Sequence, residues 1–168
     1  MIDADEALDD VLRDAIVAAP DEADAYCVKR TTYFCGKPMR IWRNEPLLRL
    51  FRTGKATLES RPAAAKTAAV HEAWTSEGRV GDLPGTLLHY SYPDVAAYRA
   101  KYQRYTSLEA ADMPGSFAKL LAVCVTGAAR LAWLLLARGA ILDGPRGWYV
   151  AYHTAAYPAV AAAKALRW

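Results

Sequence analysis

The sequence predicts an α/β chain: a mixed strand-and-helix first half, residues 1–92, then a helical, tyrosine-rich region, residues 93–168. Three observations predict it. Short β-forming runs in the first half end at turn residues, as Tyr26–Phe34 does at Gly36-Lys37-Pro38. After Pro93, Val95, Tyr98, Tyr102 and Tyr105 step by three and four, which places them on one helix face. From Phe117 onward the chain is strongly apolar with few interruptions.

The elements follow in order. Leu8, Val11, Leu12, Ala15 and Ile16 recur at helical spacing until Pro20, predicting a helix from Glu6 to Ala19. Tyr26–Phe34 and Leu47–Arg52 are predicted strands, the second preceded by Pro46 and turned by Thr53-Gly54. Arg61–Ala69 is small and polar and predicts a loop, with short strands at Val70–Trp74 and Thr86–Tyr92. Met113-Pro114-Gly115 ends the first helix of the second half, and Ser116 suits the N-cap of a helix over Phe117–Ala137. Gly139 and Asp143-Gly144-Pro145 punctuate the chain before a last helix from Arg146 toward Trp168, with Pro158 as a kink point. Met1-Ile2 reads as the end of a buried strand, so the fold is expected to continue upstream.

Composition narrows the function classes. The chain has 168 residues and is 54% hydrophobic, which excludes an intrinsically disordered chain. A net charge of +3 gives no argument for nucleic acid as a partner. Cys27, Cys35 and Cys124 match no zinc or redox spacing and read as free thiols of a reducing compartment. Met1–Asp10 is acidic, unlike a basic-then-apolar leader. Lys119, Arg130 and Arg138 interrupt the apolar tail, so no run reaches the roughly 18–20 uncharged apolar residues of a spanning helix. Trp133, Trp148, Tyr149, Tyr152, Tyr157 and Trp168, with Arg138, Arg146, Lys164 and Arg167, fit a membrane-interfacial position. Packing as an ordinary helical core accounts for the same aromatics.

Three constellations can carry chemistry. Asp3-Ala4-Asp5-Glu6 puts two carboxylates two residues apart at an expected strand end, where an extended backbone projects both to one side. They would make a hard-oxygen site for Mg²⁺ or Mn²⁺ beside a substrate diphosphate. Acidic residues also simply favour a helix N-terminus. In Val70-His71-Glu72, Glu72 can serve as general base toward a hydroxyl, or stand exposed on a strand edge. His89, in Leu87-Leu88-His89-Tyr90, is either a core histidine or a metal ligand completing a site with Asp3 and Asp5. Arg30, Arg40, Arg43, Arg49 and Arg52 can grip a diphosphate or form a solvated face. No dinucleotide, P-loop or nucleophile-elbow motif is present.

Taken in order, Asp3-Ala4-Asp5-Glu6, Tyr26-Cys27-Val28-Lys29-Arg30, Leu48-Arg49-Leu50-Phe51-Arg52, Val70-His71-Glu72, Gly81-Asp82-Leu83 and His89-Tyr90-Ser91-Tyr92 resemble glycosyltransferase family 2. The resemblance is to its lipopolysaccharide-core β-glucosyltransferase type. Lys101-Tyr102-Gln103-Arg104-Tyr105-Thr106-Ser107 and Gly139 through Gly147 extend it over almost the whole chain.

The resemblance implies the C-terminal half of a GT-A fold, beginning at the DXD motif, followed by a helical region. It implies inverting, metal-dependent transfer of a sugar from a nucleotide-sugar to a hydroxyl; the interfacial character of the tail points to a lipid-linked or cell-envelope glycan as acceptor and to peripheral membrane contact at the cytoplasmic face of the plasma membrane. Asp3 and Asp5 match the DXD carboxylates that hold metal and donor; position alone puts Arg49 toward the donor and His89 as a further metal ligand. Glu72 matches the residue proposed as base, where many members carry an aspartate after a glutamate. The family's nucleotide-binding first hundred or so residues have no counterpart in this sequence, so activity of the chain alone is not implied. The rival expectations are a non-catalytic accessory domain and a small peripheral membrane protein.

Overall fold

The longest strand dictates the first half. In the computed structural model, which describes residues 2–60 and 72–167, the strands are β1 (Glu6–Leu8), β2 (Ala25–Phe34), β3 (Lys37–Pro38), β4 (Glu45–Phe51), β5 (Thr57–Ser60), β6 (Glu72–Thr75) and β7 (Val80–Tyr92). The helices are α1 (Asp10–Val17), α2 (Val95–Asp112), α3 (Phe117–Leu136) and α4 (Pro145–Ala165). β7 pairs antiparallel with β1 and parallel with β2, and β2 pairs antiparallel with β3 and β4. The fold is therefore mixed α/β around a mixed sheet. β5 and β6 form a separate antiparallel pair.

The chain divides into two compact units. The first, described over residues 2–38, 42–60 and 72–93, holds the strands and α1; the second, over residues 39–41 and 94–167, holds α2 to α4.

The core of the first unit is Leu12, Ala23, Tyr26, Val28, Leu83 and Leu87, with Leu8, Ile16 and Leu50 packed against it. Leu12 carries α1 onto β7, and Gly85 makes that approach close. A Cβ at Gly85 would stand 2.3 Å from the Leu12 nitrogen, and its φ of +93° suits only glycine without strain.

The predicted helix from Glu6 is corrected at its start. Glu6–Leu8 is a strand facing Leu87–His89, and the Asp9 N–H donates to the Thr86 carbonyl. Asp9 then caps α1, its carboxylate accepting from the Leu12 N–H at 2.8 Å. Strand pairing to a distant segment outcompetes the first turn of helix, and Val11 is left exposed although the spacing included it. Ile2 is likewise exposed and outside any strand, contrary to its expected place in a buried one. Arg61–Ala69 and the start of the Val70–Trp74 strand lie outside the described residues. The strand expected at Thr86–Tyr92 begins earlier, at Val80.

In the second unit the expected helices form. Asp94 caps α2 and Ser116 caps α3, accepting from the Ala97 and Lys119 N–H groups. Pro145 opens α4, whose helix runs on through Pro158. Aromatic packing joins α2 to α4. His153 lies within ring-contact distance of Tyr98, Tyr102, Tyr149 and Tyr152, and its Nδ1 donates to the Tyr149 carbonyl at 2.8 Å. Lys164 reaches back to α2, donating to Gln103, Thr106 and Ser107. Burial lowers its pKa. Tyr149, Tyr157 and Lys164, expected at an interface, thus serve internal packing, whereas Trp133, Trp148 and Tyr152 are exposed. Trp168 lies outside the described residues.

Candidate functional site

The acidic run is a turn rather than a strand end. The Glu6 N–H donates to the Asp3 carbonyl at 3.0 Å, closing a four-residue turn over Asp3–Glu6. Asp3 and Asp5 therefore do not alternate along an extended backbone, as the spacing suggested. Their carboxylates find different partners.

Asp5 meets His89. The Asp5 carbonyl accepts from the Tyr90 N–H, which fixes the turn against β7, and Asp5 Oδ2 stands 3.2 Å from His89 Nε2. On the other side of the ring, Nδ1 lies 3.1 Å from Thr32 Oγ1, and Thr32 is the register partner of His89 across β2 and β7. The Thr32 hydroxyl can donate to Nδ1 or accept from it, so Nε2 either donates to Asp5 or presents a lone pair on that side. Only the form that donates from Nδ1 would leave Nε2 able to bind a metal ion.

Asp3 meets Arg49. Arg49 Nη2 donates to Asp3 Oδ2 at 3.0 Å and to Glu6 Oε1 at 2.8 Å. The Glu6 carboxylate is fully buried; its other oxygen accepts from the Asp3 N–H, and Arg30 Nη1 approaches it at 3.8 Å. Arg30 in turn pairs with Glu45 at 2.6 Å, its register partner on β4. Glu6 thus ties the turn to two arginines on two strands. A buried carboxylate of this kind persists because it is paired, and removing a partner from such a pair strands a charge away from water.

The basic cluster read from the sequence separates accordingly. Arg30 and Arg49 join the acidic turn, whereas Arg52 donates to Asp21 and the Ala23 carbonyl. Arg40 pairs with Asp143 in the second unit, and Arg43 is exposed. The roles of Glu6 and Thr32 were not assigned from the sequence. Glu6 was inside the acidic motif, but its partner lies 43 positions away. Thr32 carried no signal beyond a β-forming run.

The fit to a divalent ion can be judged from these distances. Two neighbouring ligands of an octahedral Mg²⁺, at about 2.0–2.1 Å each, stand about 3 Å apart, close to the Asp5–His89 separation. Among the described residues no group of three or more His, Cys, Asp or Glu side chains is assembled to hold a metal. Asp3 points to Arg49 instead of completing a triad with Asp5 and His89. Mg²⁺ is commonly held by one or two carboxylates with substrate phosphates filling the rest, and Asp5 would supply one such carboxylate. Arg49 beside Asp3 adds a guanidinium of the kind that grips phosphate oxygens.

No protein family, no curated protein and no solved structure matches this chain.

Glu72 opens β6, where its backbone pairs with Ser60, and its side chain lies outside the described residues. All three cysteines are free thiols, Cys124 exposed on α3. Burial, with Asp82 nearby, raises the pKa of the Cys27 thiol, which makes it a poor nucleophile.

Proposed function

We propose that this chain takes part in inverting, metal-dependent transfer of a sugar from a nucleotide-sugar to a hydroxyl of a lipid-linked or cell-envelope glycan. The reading joins an ordered set of segments that resembles glycosyltransferase family 2 to a mixed α/β fold with a mixed sheet and four helices, taken as part of a GT-A fold. One observation carries it: Asp5 and His89 face each other at 3.2 Å beside an Arg49–Asp3–Glu6 network, on segments far apart in sequence.

In this reading Asp5 and His89 hold Mg²⁺ or Mn²⁺, and Asp3 lies within the same turn. The ion, when bound, neutralises charge on the departing nucleoside diphosphate. Thr32 holds the His89 ring from the Nδ1 side, and Glu6 holds Arg49 at Asp3, where its guanidinium would meet diphosphate oxygens. Glu72 takes the proton of the acceptor hydroxyl. The hydroxyl oxygen bonds to the anomeric carbon while the bond from that carbon to the diphosphate breaks, inverting the centre. The chemistry belongs at the cytoplasmic face of a membrane that carries the acceptor, with peripheral contact by the helical region.

The test incubates the protein with envelope membranes and a panel of radiolabelled nucleoside-diphosphate sugars. The expected result is label entering the lipid or glycan fraction, abolished by EDTA and restored by Mn²⁺ or Mg²⁺. No transfer from any donor, or transfer unaffected by EDTA, contradicts the proposal.

A further inference from the structure

α3 is almost apolar around its circumference and is covered along only one stripe. Leu120, Val123, Gly127, Leu131 and Leu134 are partly or fully buried, and α3 packs on α4, with Gly127 close to the Ala155 carbonyl. The opposite side exposes Leu121, Val125, Ala129, Ala132 and Leu136 with no charge among them; Val125 is 70% and Leu136 72% exposed. Lys119, Thr126 and Arg130 recur at i, i+7 and i+11, so the polar groups share one edge. Contrary to the expectation that Lys119 and Arg130 leave no run fit to span, α3, alone among the described helices, is long and apolar enough to cross a membrane, and only 11% of its most apolar stretch is buried.

Crossing is nevertheless the poorer account. α3 lies on α4, and α4 lies on α2, which carries Arg99, Lys101, Arg104, Glu109 and Asp112. A spanning α3 would draw a polar helix pair into hydrocarbon or give up its own contacts. A helix with a bare apolar face and a basic edge, supported from behind, suits the plane of the interface. The charge fits as well: residues 116–168 hold six basic side chains, of which Lys164 is engaged with α2, against one acid, Asp143, which is paired with Arg40. Exposed Trp133, with the Arg138 guanidinium 5.9 Å from its ring, is a headgroup-level pair.

We infer that the uncovered face of α3 lies in the plane of an anionic lipid bilayer, with Leu121, Val125 and Leu136 inserted and Lys119 and Arg130 at the headgroups. This specifies the membrane contact included in the proposed function and rests on that part of it alone, not on the metal chemistry.

The experiment floats the full chain with phosphatidylcholine vesicles containing graded phosphatidylglycerol, at low and high salt. Binding is expected to rise with phosphatidylglycerol and to weaken with salt, leaving a salt-resistant remainder. Val125→Glu and Leu121→Glu are each expected to weaken it by at least about tenfold, the worth of one inserted aliphatic side chain. Val17→Glu, the same change at an exposed residue of α1, should leave it unchanged. Circular dichroism checks that each variant keeps its helices. Absence of wild-type binding to every vesicle, or α3 variants that bind as well as wild type, overturns the inference. So does a lipid-free dimer that Val125→Glu dissociates, which would assign the face to a second copy. Because Val125 is outside the acidic turn, Mn²⁺ binding by Val125→Glu should match wild type, which keeps failure of this inference distinct from failure of the catalytic reading.

Discussion

Replacing Asp5 by alanine is expected to cripple metal-dependent sugar transfer, a loss of about 10²–10³-fold, while leaving the fold in place. The side chain supplies one of few charged groups available to the ion, and removing a single preorganised charge partner at a developing anion typically costs about 10²–10³-fold. Stability should hardly move. The Asp5 carboxylate is half exposed and its pairing with His89 is solvent-screened, worth about 1 kcal/mol or less. The structural contact of the residue, its carbonyl with the Tyr90 N–H, survives the substitution. Radiolabel transfer with excess Mn²⁺, beside a urea titration, separates the two effects. Asp21→Ala, removing an exposed carboxylate that pairs only with Arg52 among the contacts of this region, should keep full transfer. Normal transfer by Asp5→Ala would remove the metal assignment.

Glu72→Gln is expected to lower turnover by about 10²–10⁴-fold with little change in donor affinity. Glutamine keeps the shape and loses the proton-accepting oxygen, and general-base catalysis is worth about that range. The residue sits at the first position of β6, opposite Ser60 on β5, so its backbone is held by a strand pair rather than by a loop alone. Steady-state kinetics across donor and acceptor concentrations give the readout. A fall of less than about tenfold would make Glu72 structural and direct attention to His71 and Glu77.

Most helices were legible because their signals are local. Tyr98 and Tyr102 lie three and four apart from their neighbours on a face that meets α4, and Asp94 and Ser116 cap where capping chemistry places them. The first strand was not legible. Three residues carry no period, and Glu6–Leu8 becomes a strand through Leu87–His89, some eighty positions later. Thr57–Ser60 escaped for the same reason, since among the described residues it pairs with Glu72–Thr75, across a gap in sequence. At the candidate site, residue types and positions were readable and geometry was not. Asp3, Asp5, Arg49 and His89 could be singled out from motif order. That a turn would send Asp3 to Arg49 and Asp5 to His89, with Glu6 buried between arginines, depends on long-range pairing that no short window contains.

The proposed function requires the Asp5–His89 pair to share a divalent ion with a nucleoside diphosphate. The most direct measurement is Mn²⁺ titration of the chain, read from the electron paramagnetic resonance of the free ion, with and without UDP. The account predicts that UDP tightens Mn²⁺ binding by at least about tenfold, within the usual range of coupling between two ligands, and that Asp5→Ala loses this effect. Mn²⁺ binding that is indifferent to UDP, or that Asp5→Ala leaves unchanged, would contradict it.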